Sequence, residues 1–275
     1  PLAMDMYSKQ PDFKWIGLMH RDGNALAINR LIKEKINLAK KRINRKPNKQ
    51  VAIALAELHQ KHKKSTQIAM PHLLSTHSVV LYKYLKNYGV KLTLRANNQI
   101  AVQAISVAPP KAPAFIKGQS NRSIPAAFEQ SLPWADVVET KGFGHVAWYS
   151  KDVLPWKNGH VECIALATDH AIATKYLATK EVMDYIKLAG QDIEKSREIG
   201  GTKLDEIVAI VQKHIPAHTK HAIIASLDPE LRVINYQSLN IDKAGLKLVM
   251  DLAVEAGILE QVIDIENFSA PQFDH

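Results

Sequence analysis

The feature that most constrains this chain is a short apolar run, followed by a proline and an amphipathic helix, between Gln67 and Gly89. Residues 67–70 predict a short buried strand, which Pro71 ends. From Thr76 onwards apolar residues recur at helical spacing, so we predict that a helix begins there. The first backbone N–H groups of a helix have no acceptors within it and carry partial positive charge, so this turn suits a small anion or another polar acceptor.

Three residues at this turn are candidate ligand contacts. Ser75 and Thr76 belong to the residue types that cap helices, and the side chain of His77 could add a donor beside the backbone amides. Helix caps of this kind are common, so a plain structural cap explains Ser75 and Thr76 equally well. The sequence therefore predicts the local geometry and leaves open whether a ligand uses it.

Length and composition predict a globular protein of two lobes. The chain has 275 residues, of which 46% are hydrophobic and 23% are charged. Its apolar runs are shorter than the roughly 20 residues of a membrane span. The single cysteine, Cys163, excludes an intramolecular disulfide and a cysteine-based zinc site, and its apolar neighbours favour a packed side chain over a reactive thiol.

The formal net charge is +9, and basic residues are dense between Lys33 and Lys64. This segment lacks the interleaved aromatic residues of a single-strand platform and any recognisable DNA-binding motif, so nucleic acid is not an expected partner. We interpret the segment as a solvated basic helix surface. A positive field would still raise the local concentration of an anionic ligand.

Hydrophobic periodicity predicts strands that alternate with helices. The predicted strands are residues 13–19, 23–29, 67–70, 90–94, 101–107, 124–128, 146–150 and 161–168. The predicted helices are residues 1–10, 30–41, 51–61, 76–89, 111–117, 135–140, 171–178, 180–195, 203–214 and 243–256. This alternation indicates an α/β fold built from parallel sheets.

Three loops lie where ligands bind in such folds, beyond the carboxyl ends of strands. They are residues 71–77, 108–111 and 130–134, and they carry proline, small and hydrogen-bonding residues. We therefore predict that their tips face one cleft, which adds Pro109, Gln130 and Trp134 to the candidate contacts. Trp134 is compatible with a cleft wall and with a core position between strand and helix.

Two other functions would use the histidines. On an enzyme, His72, His77 or His145 could transfer protons, but the sequence has no G-x-S-x-G, H-E-x-x-H or glycine-rich phosphate motif. Metal binding would use histidines at helical spacings without a carboxylate or cysteine, so we expect surface histidines, no metal and no cofactor. The spacings concerned are His59 with His62, and His214 with His218 and His221.

Six stretches, in order along nearly the whole chain, carry a resemblance to a known family. They are residues 23–28, the helix start at Ser75, Thr76 and His77, residues 107–118, residues 128–134, the pair Glu162 and Cys163, and residues 245–263. In this ordered set the chain resembles the solute-binding proteins of ABC importers in the nitrate, sulfonate, taurine and thiamine-precursor (NMT1/THI5-like) group. None of the six stretches is specific by itself.

The resemblance implies a type II periplasmic-binding-protein-like fold, in which two α/β lobes joined by a hinge close on a ligand. Lobe I would combine residues 1–29 and 161–275, and lobe II would be residues 30–160. Asn24, Thr76 and His77 would contact the ligand. Residues 130–134 match a loop that usually reads Gly-Glu-Pro-Trp, in which Leu132 stands in place of the glutamate.

The resemblance further implies a non-catalytic role. The chain would be the solute-binding component of an ABC importer, bind a small anion such as a sulfonate or nitrate, and work with a membrane permease. Its location would be periplasmic, or membrane-associated outside the cytoplasm. A neutral heteroaromatic ligand remains an alternative, as does an enzyme on the same fold, such as a thiamine-pyrimidine-precursor synthase or a decarboxylase.

The start of the chain departs from the family pattern. Family members begin with a strand and a helix ahead of the position of Pro1, and these complete the first lobe. A first lobe without them would expose a sheet edge, which invites pairing with another chain. We therefore expect a partner or a second copy of the chain, as in a homo-oligomer, at this edge.

Overall fold

The computed structural model describes residues 1–274 and contains two β-sheets. The strands are β1 (Phe13–Asp22), β2 (Asn24–Ile28), β3 (Thr66–Met70), β4 (Leu92–Thr93), β5 (Val102–Ser106), β6 (Ala126–Ser131), β7 (His145–Tyr149), β8 (Val161–Thr168) and β9 (Ile234–Asn235). The helices are α1 (Leu2–Lys9), α2 (Arg30–Lys33), α3 (Lys49–His62), α4 (Thr76–Asn87), α5 (Ala112–Asn121), α6 (Trp134–Thr140), α7 (Ser150–Val153), α8 (Asp169–Thr174), α9 (Tyr176–Ile199), α10 (Gly201–His214), α11 (Lys220–Ser226), α12 (Lys243–Glu255) and α13 (Ile265–Phe268). Short 3-10 turns lie at Arg42–Asn44, Pro109–Lys111 and Pro271–Phe273.

The larger sheet has the strand order β4-β5-β3-β6-β2-β7. Strands β4, β5, β3 and β6 are parallel, as predicted. Helix α4 returns the chain from β3 to β4 and helix α5 returns it from β5 to β6, whereas residues 94–101 connect β4 to β5 without a helix. Strand β2 is antiparallel to both β6 and β7. It enters the sheet directly from β1 through Gly23, without a returning helix, so the prediction of purely parallel sheets is wrong for this side.

The smaller sheet is antiparallel and has β1 between β8 and β9. The chain passes from the smaller to the larger sheet at Gly23, where a φ of 96° favours glycine. It returns between β7 and β8. The two sheets therefore form two lobes, and β8 is an edge strand with no neighbour beyond it in the described chain.

A continuous apolar cluster joins the two lobes. It includes Trp15 and Leu18 from β1, Leu26 from β2, Val80 from α4 and Val249 from α12, all at most 1% exposed. A second cluster fills the opposite face of the larger sheet under α5 and α6. Helix α4 is therefore packed on the face of the larger sheet that also meets the smaller lobe.

Only part of the basic segment is a helix surface: α3 covers residues 49–62, whereas residues 34–48 contain only a short 3-10 turn, contrary to the prediction from composition. Of the helix predicted over residues 30–41 only α2 forms, and contacts to other elements hold residues 34–48. The guanidinium of Arg45 donates to Glu139 at 2.7 Å and to the carbonyl oxygen of Val146 at 2.8 Å. Periodicity cannot reveal such partners, because they lie about 100 residues away in sequence.

Other boundaries differ where packing overrides a local signal. Helix α5 continues past Gly118, the predicted end, because it packs along β6. Strand β6 continues to Ser131, so Gln130 lies in a strand and not in the predicted loop. The break between two helices that was predicted at residue 179 lies at Lys175, between α8 and α9. Helix α11 was not predicted. No helix within residues 1–274 combines the length and the apolar composition needed to cross a membrane.

Candidate ligand-binding site

A cleft of about 290 Å³ opens between the lobes beside the N-terminus of α4. Its walls come from the start of α1, the loop before α4, strand β8 and helix α12. The polar side chains that line it include Ser75, Thr76, His77 and Glu162, and most of the remaining lining is apolar. The prediction that a helix begins at Thr76 is confirmed, and this helix start lies in the cleft.

The first turn of α4 is only partly capped. The hydroxyl of Ser75 accepts a hydrogen bond from the backbone N–H of Ser78 at 3.4 Å, so Ser75 is the cap. The backbone N–H groups of Thr76 and His77 have no acceptor in the helix, as in any first turn, and none elsewhere in residues 1–274. The helix start therefore presents two free donors and the positive end of its dipole.

His77 joins α4 to both lobes. Its Nε2 lies 3.1 Å from the hydroxyl of Ser131 on β6. Its Nδ1 lies 3.6 Å from a carboxyl oxygen of Glu162 on β8, which is too long for a hydrogen bond. His77 and Glu162 thus form the polar end of the cleft, one from each lobe.

Strand register places further polar residues behind this pair. Asn24 on β2 lies opposite Ser131 on β6, and Glu129 lies opposite Leu26. Because Leu26 belongs to the apolar cluster that contains α4, these side chains share the sheet face that meets α4. Asn24 and Glu129 are both 0% exposed, although each is a strongly polar residue.

His160 closes the cluster on its other side. Its Nε2 lies 2.9 Å from the hydroxyl of Ser150, and its backbone N–H donates to Asp22 at 2.9 Å. Its Nδ1 lies 3.8 Å from Glu162. A buried chain of polar groups therefore runs from His77 through Glu162 and His160 to Asp22.

Several buried polar atoms of this cluster have no hydrogen-bond partner within residues 1–274. They are Nδ2 and Oδ1 of Asn24, Nδ1 of His77, both carboxyl oxygens of Glu129 and Oε2 of Glu162. Each such atom costs about 1–3 kcal/mol when it stays unpaired. Their concentration at one end of a cleft is typical of a site that a ligand or solvent completes.

Burial raises the pKa values of the carboxyls in this cluster. It raises the pKa of Glu162 to about 8, with Asn24 opposing the rise and Asp22 adding to it. It raises the pKa of Glu129 well above its usual value, and the charge of Glu162 adds to that rise. Burial also raises the pKa of Asp22 to about 7, against the hydrogen bond from the backbone of His160.

Burial lowers the pKa values of three histidines in the same region. The pKa of His77 falls to about 3, and its neighbours His160 and His20 contribute to this fall. The pKa values of His20 and His160 fall to about 4. At neutral pH these histidines are uncharged and Glu162 mostly keeps its proton, so the pair of His77 and Glu162 at the end of the cleft is polar but nearly neutral.

This arrangement can bind a polar group. A protonated carboxyl and a neutral imidazole can each donate one hydrogen bond and accept another. Together with the first amides of α4, Glu162 and His77 can hold an oxyanion or a neutral heteroatom. No lysine or arginine side chain of the described chain lines the cleft. The lining suits a ligand with a polar head and an apolar body.

The structure brings some of the candidate contacts together and separates others. Ser75, Thr76 and His77 line the cleft, and Asn24 lies in the polar cluster behind them. Gln130 alternates with Glu129 along β6, and its amide donates to the carbonyl oxygen of Val107 at 2.9 Å. That contact places its side chain on the opposite face of the sheet.

Pro109 and Trp134 lie away from this cleft. Pro109 is half-buried in a 3-10 turn and is not part of the lining. The indole of Trp134 packs edge-on against His218 at 4.2 Å between ring centroids and is 8% exposed. The sequence was compatible with a cleft wall and with a packed core position for Trp134, and the structure has the packed position. Of the three predicted loops, only residues 71–77 border the cleft.

The histidines of the alternative functions are also separated. His77 lines the cleft, whereas His72 is exposed and His145 lies at the far end of β2, opposite Ile28. Within residues 1–274 no group of three histidine, cysteine, aspartate or glutamate side chains is placed to hold a metal ion.

The sequence does contain a signal for the residues that site prediction missed. Glu129 and Glu162 are each the only charged residue in a strand whose other residues are mostly apolar. A lone carboxylate in a buried strand is expensive unless it has a partner or a function. This signal points to both residues, although it cannot tell that they meet.

Comparison with known proteins agrees with the resemblance seen in the sequence. Residues 1–199 match the sequence profile of the NMT1-like family. The chain belongs to the NMT1-like family. A comparison with curated proteins finds no match.

Solved structures share the fold of this NMT1-like chain. A ligand-binding component of an ABC-type import system from Staphylococcus aureus, with zinc bound, has 16% identity and a TM-score of 0.70 over 99% of this chain and 76% of that chain. The periplasmic nitrate-binding protein NrtA from Synechocystis PCC 6803 has 14% identity and a TM-score of 0.74 over 99% and 70%. The alkanesulfonate-binding protein SsuA from Xanthomonas axonopodis pv. citri, bound to MOPS, has 12% identity and a TM-score of 0.66 over 98% and 77%. The predicted two-lobe fold of periplasmic binding proteins is thereby confirmed.

Proposed function

We propose that this chain is the solute-binding component of an ABC importer and holds a small ligand in the cleft beside α4. In this role it works outside the cytoplasm, in the periplasm or at the membrane surface, and passes its ligand to a membrane permease. Membership of the NMT1-like family and the fold shared with nitrate- and sulfonate-binding proteins support the proposal. A partner or a second copy of the chain at an exposed sheet edge of the first lobe stays a prediction, and sedimentation of the purified chain checks for the second copy.

One observation carries the proposal. The free amides of α4 and unpaired atoms of His77 and Glu162 meet at the same end of one cleft, although they come from both lobes. A ligand that binds the amides of α4 and the side chain of Glu162 contacts both lobes and so holds them together. Binding and lobe closure are therefore expected to be coupled.

The lining favours a ligand that combines an oxyanion with an apolar group, as an alkanesulfonate does. The oxyanion accepts hydrogen bonds from the start of α4 and from the protonated carboxyl of Glu162. The apolar group covers side chains such as Ile164 and Val249, which a bare nitrate would leave uncovered. A neutral heteroaromatic compound is the alternative that a binding experiment must include.

We propose binding rather than catalysis, because the cleft presents no activated nucleophile. Burial raises the pKa of Cys163 to about 11, so its thiol stays protonated at neutral pH and is a poor nucleophile. The fold itself does not exclude an enzyme, since the desulfurization enzyme DSZB matches with 12% identity and a TM-score of 0.52 over 95% of this chain and 79% of that chain. Recovery of unchanged ligand after long incubation supports a receptor, and a pH-dependent product supports an enzyme.

Calorimetric titration with alkanesulfonates, nitrate and aminopyrimidines tests the proposed site. We expect one of these classes to bind, and His77→Ala to weaken it by about 1–3 kcal/mol through loss of a polar contact. His170→Ala removes an exposed histidine on α8 and is the matched control, for which affinity should not change. Equal affinity of the wild type and His77→Ala would place the ligand elsewhere.

A further inference from the structure

A second cavity lies at the opposite end of the larger sheet from the cleft. Its volume is about 570 Å³, which falls within the ~300–1,000 Å³ typical of small-molecule sites. Its lining comes from the start of β3, from β5, from the residues before β6, and from the C-terminal ends of α3 and α5. No residue of this lining belongs to the cleft beside α4.

Two glutamine side chains lie together at this cavity. Gln67 on β3 is the register partner of Gln103 on β5, so their side chains are neighbours on one face of the sheet. Ala69 and Ile105, two residues further along each strand, pack into the apolar cluster under α5, which places both amides on the α5 side. Neither amide has a hydrogen-bond partner in the described part of the chain. The pair therefore offers unused N–H donors.

The positive charges at the cavity have no acidic partners. Lys64 and Arg122 line it, and no aspartate or glutamate of residues 1–274 does. Arg122 donates only to uncharged acceptors, the side-chain oxygen of Gln119 at 3.3 Å and the carbonyl oxygen of Gly118 at 3.4 Å. Lys64 forms no ion pair in the same range. Unpaired cations beside amide donors are the chemistry that recognises an oxyanion.

We infer that this cavity is a second ligand site, which binds a small molecule bearing a phosphate or carboxylate group. The guanidinium of Arg122 and the ammonium of Lys64 hold the oxyanion, and the amides of Gln67 and Gln103 bind polar atoms of the ligand body. Gln119, which is 6% exposed, orients the guanidinium through their shared hydrogen bond. The site is independent of the cleft and of the solute proposed for it.

Titration followed by the ¹H–¹⁵N signals of the glutamine side-chain amides tests this site. The probes are inorganic phosphate, ribose 5-phosphate and citrate, whose comparison separates a phosphate from a carboxylate ligand. We expect at least one probe to shift the signals of Gln67 and Gln103 saturably, and Arg122→Gln to weaken its binding about tenfold. Lys117→Gln is the matched control, since it removes an exposed charge from α5, which ends just before Arg122, and should leave affinity unchanged.

Three results would overturn the inference. Shifts that never saturate, or equal losses in Arg122→Gln and Lys117→Gln, would indicate general attraction to the positive surface and no specific site. Loss of the titration in His77→Ala would place the probe in the cleft. A titration that survives His77→Ala supports the second site even if no solute is found for the cleft, so the two proposals fail separately.

Discussion

Glu162 is a buried ionisable residue that also borders the cleft. Its side chain is 7% exposed, lines the cleft and retains one unpaired carboxyl oxygen. Because burial raises its pKa to about 8, the folded chain keeps a proton that the unfolded chain gives up above its ordinary value of 4.5. The protonated form can donate to a ligand, whereas the charged form would repel an anion. The same property makes folding depend on pH.

We expect the wild type to lose stability relative to Glu162→Gln as pH rises from 6.5 to 8. In this range the unfolded state binds fewer protons at residue 162 than the folded state, so the free energy of unfolding falls by at most about 1.4 kcal/mol per pH unit. The slope decreases towards pH 8, where the folded carboxyl is half-ionised, and the total loss is about 1–2 kcal/mol. The lowered pKa values of His20, His77 and His160 destabilise the fold only below their ordinary value of 6.5. Urea unfolding of both proteins across this range measures the difference.

Glu162→Gln preserves the size and hydrogen-bonding capacity of the side chain, so a change in packing does not complicate the comparison. Asp5→Asn, which alters a half-buried carboxylate paired with the exposed Lys9, is the control. It should show no relative change over the same pH range. A constant difference between wild type and Glu162→Gln would mean that Glu162 is ionised in the folded chain.

At the scale of helices and strands, the sequence predicts those elements whose position depends on residues close together in the chain. Pro71, the Ser75 cap and the apolar spacing of α4 are encoded within a few residues, and the structure has the strand, turn and helix they predict. The meeting of Glu129, Glu162 and His77 depends on sheet register and on the packing of two lobes, which no local pattern contains. The predicted ends of α2 and α5 were wrong for the same reason, since contacts with residues distant in sequence determine where these helices end.

The ion pair between Arg45 and Glu139 is expected to hold the irregular basic segment, residues 34–48. Arg45 is 7% exposed, and burial of Glu139 is outweighed by the hydrogen bonds and charge of Arg45, so the pKa of Glu139 is lowered. Glu139→Gln leaves that guanidinium charge unpaired, and we expect a loss of about 3 kcal/mol in the free energy of unfolding. Trypsin should also cut the freed segment faster, and digestion followed by mass spectrometry measures this.

The matched control is Glu34→Gln, which breaks the exposed pair with Arg30. Exposed pairs of this type contribute about 0–1 kcal/mol, so stability and cleavage should hardly change. If the two substitutions had similar effects, the ion pair between Arg45 and Glu139 would contribute no more to stability than an exposed ion pair does.

At the scale of the whole molecule, the two lobes share one apolar interior. Trp15 and Leu18 from the smaller sheet lie in the same cluster as Leu26 and Val80 from the larger lobe. The ordered resemblance predicted the two lobes from sequence, because it rests on many weak stretches at once. It could not predict how tightly the lobes are joined, since that depends on which side chains meet between them.

We expect β1 and β3 to unfold together, although they belong to different lobes. Elements that share a buried cluster open as one cooperative unit, so their amides should report the same opening free energy in hydrogen exchange. Helix α10 buries only Val208 within its span and packs in a separate small cluster, so its amides should exchange at a lower free energy. Exchange of peptides covering Phe13–Asp22, Thr66–Met70 and Gly201–His214, at increasing low concentrations of urea, compares the three. If the amides of β1 exchanged at a much lower opening free energy than those of β3, the two lobes would be separate folding units. A ligand that closes the cleft would then also have to stabilise the less stable lobe.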